Sequence, residues 1–172
     1  MAEIKSTLDL VMERTRHLTL SEKEKASQNA VQTQKRVSGL VKRYLNQLIK
    51  PQEFMDELAQ LNATYPESRA RAVSELIDNV DLSGDNNALL ALLRDYLDTP
   101  VDEIQSITAD CRKKLEAAAG EQRAKTIERL RTERGISGSA LMANLATDNS
   151  WQQERRRLEA SFREKLDALK PQ

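Results

Sequence analysis

The sequence predicts an all-α protein, in which a compact helical head is inserted between two long antiparallel helices and a C-terminal helix follows. Three observations carry this. Aromatic residues make up 3% of the chain and charged residues 31%. A compact core must therefore come from Leu, Ile, Val and Ala, which suits helices better than strands with their β-branched and aromatic preference. Only five Gly and four Pro punctuate 172 residues, so the elements are few and long. Apolar residues recur at helical spacing throughout. The length fits one domain, or a small domain with an extended arm.

Residues 1–20 read as a short N-terminal helix, with Ile4, Leu8, Val11 and Met12 on one stripe that fades near His17. Leu18-Thr19-Leu20 is a break. Ser21 followed by Glu24 is a capping-box signature. It opens a helix expected to run to about Ile49, roughly 43 Å at 1.5 Å per residue. The first half, Glu22 to Arg36, is nearly all polar. Val37, Val41, Tyr44 and Leu48 then mark a seam flanked by Leu40 and Leu45.

Pro51 suits the first position of a helix carrying Phe54, Met55, Leu58 and Leu61, and Pro66 starts another with Ala70, Val73, Leu76, Ile77 and Val80. After a turn at Asp81-Leu82-Ser83-Gly84-Asp85, the run Leu89, Leu90, Leu92, Leu93, Tyr96 and Leu97 predicts a helix buried on most sides. Thr99 as cap and Pro100 at the first position open the second long helix, with Asp102 and Glu103 complementing its dipole. Its apolar stripe is Ile104, Ile107, Cys111, Leu115 and Ala118. Past the small Ala117-Ala118-Ala119-Gly120 patch, which permits close helix approach, Ile127 and Leu130 continue it. Gly135 ends this helix as a left-handed cap. A short helix around Leu141, Met142 and Leu145 follows. A second capping box, Ser150 with Gln153, then opens a final helix with Trp151, Leu158, Phe162, Leu166 and Leu169 on one stripe. The expected organisation is thus residues 1–20 as a helix, 21–50 and 100–134 as a long antiparallel arm, 51–99 as an acidic head, and 135–172 as a Gly/Ser loop with C-terminal helices.

Net charge is zero but unevenly spread. Residues 1–52 hold 10 Lys and Arg against 5 Asp and Glu, residues 53–110 hold 3 against 13, and residues 111–172 hold 14 against 9. An acidic, Leu-rich middle is flanked by basic segments. Those segments either are offset by the acidic head or face an acidic partner.

The start Met1-Ala2-Glu3-Ile4-Lys5-Ser6 has neither a basic cluster nor an apolar run, and no eighteen apolar residues follow one another. The expectation is a cytoplasmic protein without a membrane span. One cysteine, Cys111, cannot close an internal disulfide, and with the single His17 it makes no zinc set. No catalytic, metal or cofactor residues are expected.

Arg134, Gly135, Ser137, Gly138 and Ser139 form a candidate anion-binding loop, because free N–H groups at a helix start beside an Arg can hold a phosphate or carboxylate. The structural alternative is that Gly135 ends one helix while Ser137 or Ser139 caps the next. The loop is not a Walker motif, lacking the Gly-Lys-Ser/Thr ending and a preceding strand. Gly135-x-x-Gly138 also matches the loop of the KH module, whose strands are missing. Asp81 to Asn86 resembles the front of a calcium loop, but its twelfth position is Leu92 rather than the bidentate Glu. Asp78 and Asp81 read as solvated helix surface without an acid/base partner. Arg155-Arg156-Arg157 beside Trp151 and Phe162 has the composition of nucleic-acid binders, but Glu154, Glu159 and Glu164 interrupt the patch and favour an ion-paired helix face. Cys111 on the apolar stripe reads as a small core residue, and His17 as a surface cation at a helix end.

Ala2-Glu3-Ile4-Lys5-Ser6-Thr7-Leu8-Asp9-Leu10 and Gly135-Ile136-Ser137-Gly138-Ser139-Ala140 resemble a family of uncharacterised bacterial all-helical proteins. The resemblance covers those two segments. It implies a bacterial cytoplasmic setting and neither an activity nor a site.

The leading expectation is a non-enzymatic protein-protein interaction or scaffold protein, because the stripes offer more apolar length than a small head can cover. The interaction face expected is Val37, Val41, Tyr44 and Leu48 with Trp151, Leu158 and Phe162, meeting a protein partner or a second copy. The alternative is a nucleic-acid or ribosome-associated factor contacting phosphates through Lys35, Arg36, Lys42, Arg43, Arg123, Arg129, Arg131 and Arg155 to Arg157. A third class, an enzyme using the Gly135 loop for a phosphorylated ligand, has no nucleophile or base in view.

Overall fold

The computed structural model describes residues 21–136, 138 and 142–171. The expected helix over 1–20 and His17 lie outside the described residues. Six α-helices and one 3-10 turn, with no strand, make up the described chain: α1 Glu22–Leu45, α2 Pro51–Thr64, α3 Ser68–Asp78, α4 Asn87–Asp95, α5 Asp102–Arg134, the 3-10 turn Leu145–Thr147, and α6 Asn149–Asp167. The molecule is all-helical, as its composition and periodicity predict.

Several ends are set by the residues expected. The Ser21 hydroxyl accepts from the Glu24 N–H at 3.2 Å, and the Glu24 carboxylate accepts from the Ser21 N–H at 2.7 Å, which completes the capping box of α1. Pro51 is the first residue of α2, and Glu53 accepts from the Lys50 N–H at 2.9 Å. Gly135, at φ 62°, closes α5, its N–H donating to the Arg131 carbonyl while that of Ile136 donates to Leu130.

Other ends differ. α1 stops at Leu45 rather than Ile49 because Gln47 turns left-handed at φ 58° and Leu48 N–H bonds back to Arg43. α3 begins at Ser68, two residues after Pro66. α5 begins at Asp102 rather than Pro100. Asp98 is left-handed at φ 49°, the Thr99 N–H donates to Leu93 and its hydroxyl to Leu97, so Thr99 finishes α4 instead of capping α5. Asp148, not Ser150, caps α6, accepting from the N–H groups of Ser150 and Trp151 at 2.9 and 3.2 Å. The helix expected around Leu141, Met142 and Leu145 is only the 3-10 turn within the described residues; Leu141 lies outside them.

Packing also departs from expectation. α1 rests on α3 and α2, whereas α5 pairs with α6 and α6 also rests on α3. The long arm expected from 21–50 and 100–134 is therefore not a pairing of α1 with α5. The reason lies in the stripes. Val37, Leu40, Val41 and Tyr44 of α1 are buried in one core with Phe54 and Leu58 of α2 and Ala72, Val73, Leu76 and Ile77 of α3, which leaves α1 no apolar face for α5. α4 supplies Leu89, Leu90, Leu92 and Leu93, the N-terminal third of α5 supplies Ile104 and Cys111, and the end of α6 supplies Phe162 and Leu166. A second, smaller cluster of Ala119, Leu145 and Trp151 lies further along α5. With Gln122 bonded to Ser150 at one level and Lys114 over the Phe162 ring at another, α5 and α6 run antiparallel. The arm that exists is this hairpin.

Candidate functional site

The head core is built from buried apolar side chains with a few polar fasteners. Tyr44 and Phe54 rings meet at 5.5 Å, and the Tyr44 hydroxyl donates to the Ala88 carbonyl at 3.0 Å, tying α1 to α4 while burial raises the Tyr44 pKa. Glu75 of α3 accepts from Ser38 at 2.8 Å and Gln34 at 2.9 Å, fixing α3 against α1.

This placement decides the expected interaction face. Val37, Val41, Tyr44, Trp151 and Phe162 are buried by the chain's own helices, and Leu158 is half-buried. Only Leu48 is open to solvent, at 70% exposure. A side chain already enclosed by its own fold is not available to a partner, so these residues are core rather than a shared surface. The periodicity that marked them reports burial without saying against what.

The candidate anion loop is partly in view. The Gly135 and Ile136 N–H groups are spent on the end of α5, and Arg134 is exposed at the same end. Gly138 has φ 155°; Ser137 and Ser139 lie outside the described residues. Among the described residues the first capped helix after Gly135 is the 3-10 turn, whose cap is Asn144 accepting from the Ala146 N–H at 3.0 Å. The visible half of the loop is occupied with helix termination.

Asp81 to Asn86 closes on itself. The Asp81 carboxylate accepts from Ser83 and Gly84 N–H, both at 2.8 Å, which holds its pKa below the usual carboxylate range. The buried Asn86 side chain bonds both the Asp81 N–H and its carbonyl. Glycine at 84 leaves room for this turn, since a Cβ there would collide with the Asp81 carboxylate and force it to shift. No group of three or more His, Cys, Asp or Glu residues placed to hold a metal occurs among the described residues. Cys111 is fully buried, and burial first, then Glu159, raises its pKa, disfavouring the reactive thiolate.

Some of the basic residues singled out earlier have partners within the chain. Arg43 pairs with Glu57 at 2.8 Å, Arg155 with Glu159 at 2.7 Å, Arg131 approaches Glu128 at 3.8 Å, and Arg36 lies over the Tyr65 ring at 5.9 Å. Arg156 and Arg157 are exposed. A groove of about 420 Å³ runs between Asp81–Ser83 and α6, lined by Arg155, Glu159 and Arg163. Its charges are engaged with one another or with backbone. A second groove, of about 500 Å³, separates α1 from α2 over Leu40 and Leu61, with Lys35, Arg36 and Arg43 on one side and Glu57 on the other.

Two residues carry more of the architecture than their spacing suggested. Arg163 donates to the carbonyls of Ile77, Asp78 and Val80 at 3.5, 3.2 and 2.9 Å, so a side chain of α6 satisfies the open end of α3. Lys170 joins it by pairing with Asp78 at 2.5 Å. Asp148 accepts not only from Ser150 and Trp151 but from Gln122 of α5 at 2.9 Å, capping α6 and fastening it to α5 at once. The Arg163 contacts and the Gln122 bond leave no local pattern, because those partners are far away in sequence. No helix among the described residues is long and apolar enough to cross a membrane. No protein-family model, no curated protein and no solved structure matches the chain.

Proposed function

We propose that the protein works non-enzymatically, as a helical interaction or scaffold protein, and that the far end of α5 is the part that meets a protein partner or a second copy. The observation that carries this is the overreach of α5. Gln122 lies level with the start of α6, so the segment from Arg123 to Arg134, about 18 Å of helix, extends past its packing partner. Ile127 and Leu130 are only half-buried there, and the chain just beyond exposes Ile136 at 44% and Met142 at 89%. Apolar side chains left uncovered on and beside an overreaching helix are a common mark of an interaction surface.

Light scattering across a range of protein concentrations tests the self-association arm of this reading. The expected result is a mass that rises with concentration and falls back to the monomer in an Ile127→Glu, Leu130→Glu double variant. A strict monomer that also binds no apolar dye would count against the proposal.

A second reading is contact with nucleic acid. It is favoured by the basic character of residues 111–172, with 14 Lys and Arg against 9 Asp and Glu, and by Arg156 and Arg157, which are exposed on α6. RNA and DNA titrations at two salt concentrations separate the readings, since phosphate contacts weaken steeply with salt. No binding at the lower salt removes it.

A further inference from the structure

The buried apolar residues fall into two groups that share little. The head core takes in Ile104 and Cys111 from the near end of α5 and Phe162 and Leu166 from the far end of α6. The arm has its own cluster of Ala119, Leu145 and Trp151, with Leu115 and Ala118 packed against it. Between them α6 has no fully buried residue from Gln152 to Ser161, and α5 offers only the half-buried Leu115 and Ala118 between Cys111 and Ala119, with Leu115 the one side chain of the two that touches both cores. Three side chains are a small core. Cooperativity between packed regions depends on shared buried contacts, and units joined by few of them open separately.

The fastening of the small cluster is equally local. Asp148 receives the Ser150 N–H at 2.9 Å, the Ser150 hydroxyl at 2.6 Å, the Trp151 N–H at 3.2 Å and the Gln122 amide at 2.9 Å. Gln122 also donates to the Ser150 hydroxyl oxygen at 2.9 Å. One carboxylate thus holds the start of α6 in helical form and against α5.

We propose that the outer part of the α5–α6 hairpin, residues 118–134 of α5 with residues 145–151, is a latch that opens as a unit while the head stays folded, with Asp148 and Gln122 as its polar catch. Opening bares Leu145 and Trp151 together with the Ala118–Ala119 face of α5. The latch follows from packing within the chain and holds whether or not the far end of α5 binds anything.

The chain carries its own reporters. Its one tryptophan is Trp151, in the latch, and its three tyrosines, Tyr44, Tyr65 and Tyr96, all lie in the head. Urea unfolding of the full chain, followed at once by Trp151 fluorescence and by tyrosine signals, is the direct test. The expected result is a Trp151 transition at lower urea than the tyrosine transition. Asp148→Ala and Gln122→Ala should move the first and leave the second in place. Native-state hydrogen exchange on the unaltered chain adds a measurement that no variant can spoil: amides of residues 145–151 should exchange roughly a hundredfold faster than those of Leu92 and Leu93, through openings insensitive to head stability. Coincident transitions in the unaltered chain, or variants that shift both signals equally, would overturn the latch. So would latch amides that exchange only as fast as the head core.

Discussion

Arg163 closes the end of a helix that is not its own. Its guanidinium meets three carbonyls at the end of α3, and hydrogen bonds from a charged group are worth more than neutral ones. Arg163→Leu is expected to cost about 1–3 kcal/mol in urea unfolding followed by the tyrosines, whereas the exposed Arg156→Ala should change it by no more than about 0.5 kcal/mol. Asp148 makes a different prediction. Its hydrogen bonds, from the Ser150 hydroxyl first and the Gln122 amide next, hold its pKa far below the usual carboxylate range. A depressed folded pKa means that the contribution is complete above the unfolded value, about 3.9, and is lost as pH falls through the folded one. Trp151 fluorescence should therefore stay level from neutral pH down to about 4. In Asp148→Asn it should be altered already at neutral pH and show less further change in acid. Reading single residues from sequence worked where the role was local: Cys111 is the small core residue that its place on the apolar stripe predicts. It failed for Arg163, whose partner Asp78 lies 85 positions away, and for the expected face of Val37, Val41 and Tyr44, because a stripe does not name what covers it.

Helix ends were legible when a side chain both announced and performed the cap. Ser21 with Glu24, Pro51 and Gly135 did so. Ser21→Ala is expected to cost about 1 kcal/mol, concentrated in the first turns of α1 and visible as faster hydrogen exchange there. Ends were illegible when an ordinary residue took an unusual backbone conformation or when two candidates competed. Gln47 and Asp98 are left-handed without being glycine, so no letter in the sequence marked the stops after α1 and α4. Such a conformation costs an L-residue about 1–2 kcal/mol, and glycine is free of it at an entropic cost of its own. Gln47→Gly should consequently be neutral or stabilise by up to about 1 kcal/mol, measured by the urea midpoint of the tyrosine signal. At α6, Asp148 and Ser150 both belong to the residues that cap helices. The carboxylate takes the position, accepting the Ser150 hydroxyl together with the Ser150 and Trp151 N–H groups, while the Gln122 amide bonds both candidates and does not choose between them.

Across the molecule the charge asymmetry survives the change of arrangement. The acidic segment 53–110 builds α2, α3, α4 and the start of α5, and the basic segment 111–172 builds the rest of α5 and α6. Head and arm therefore differ in sign as well as in core. What composition could not supply was the choice of partner for each long helix, since α1, α5 and α6 all carry stripes of similar make-up. Burial settled it: α1 spends its stripe within the head, and α5 turns its stripe beyond Cys111 towards α6. Nitroxide pairs in a Cys111→Ala background measure this choice directly, at the exposed positions Arg123, Asn149 and Ser27. The account predicts strong dipolar broadening for labels at 123 and 149, across the hairpin, and none for labels at 123 and 27. Broadening of the 123 and 27 pair with a sharp 123 and 149 pair would contradict it, placing α1 beside α5.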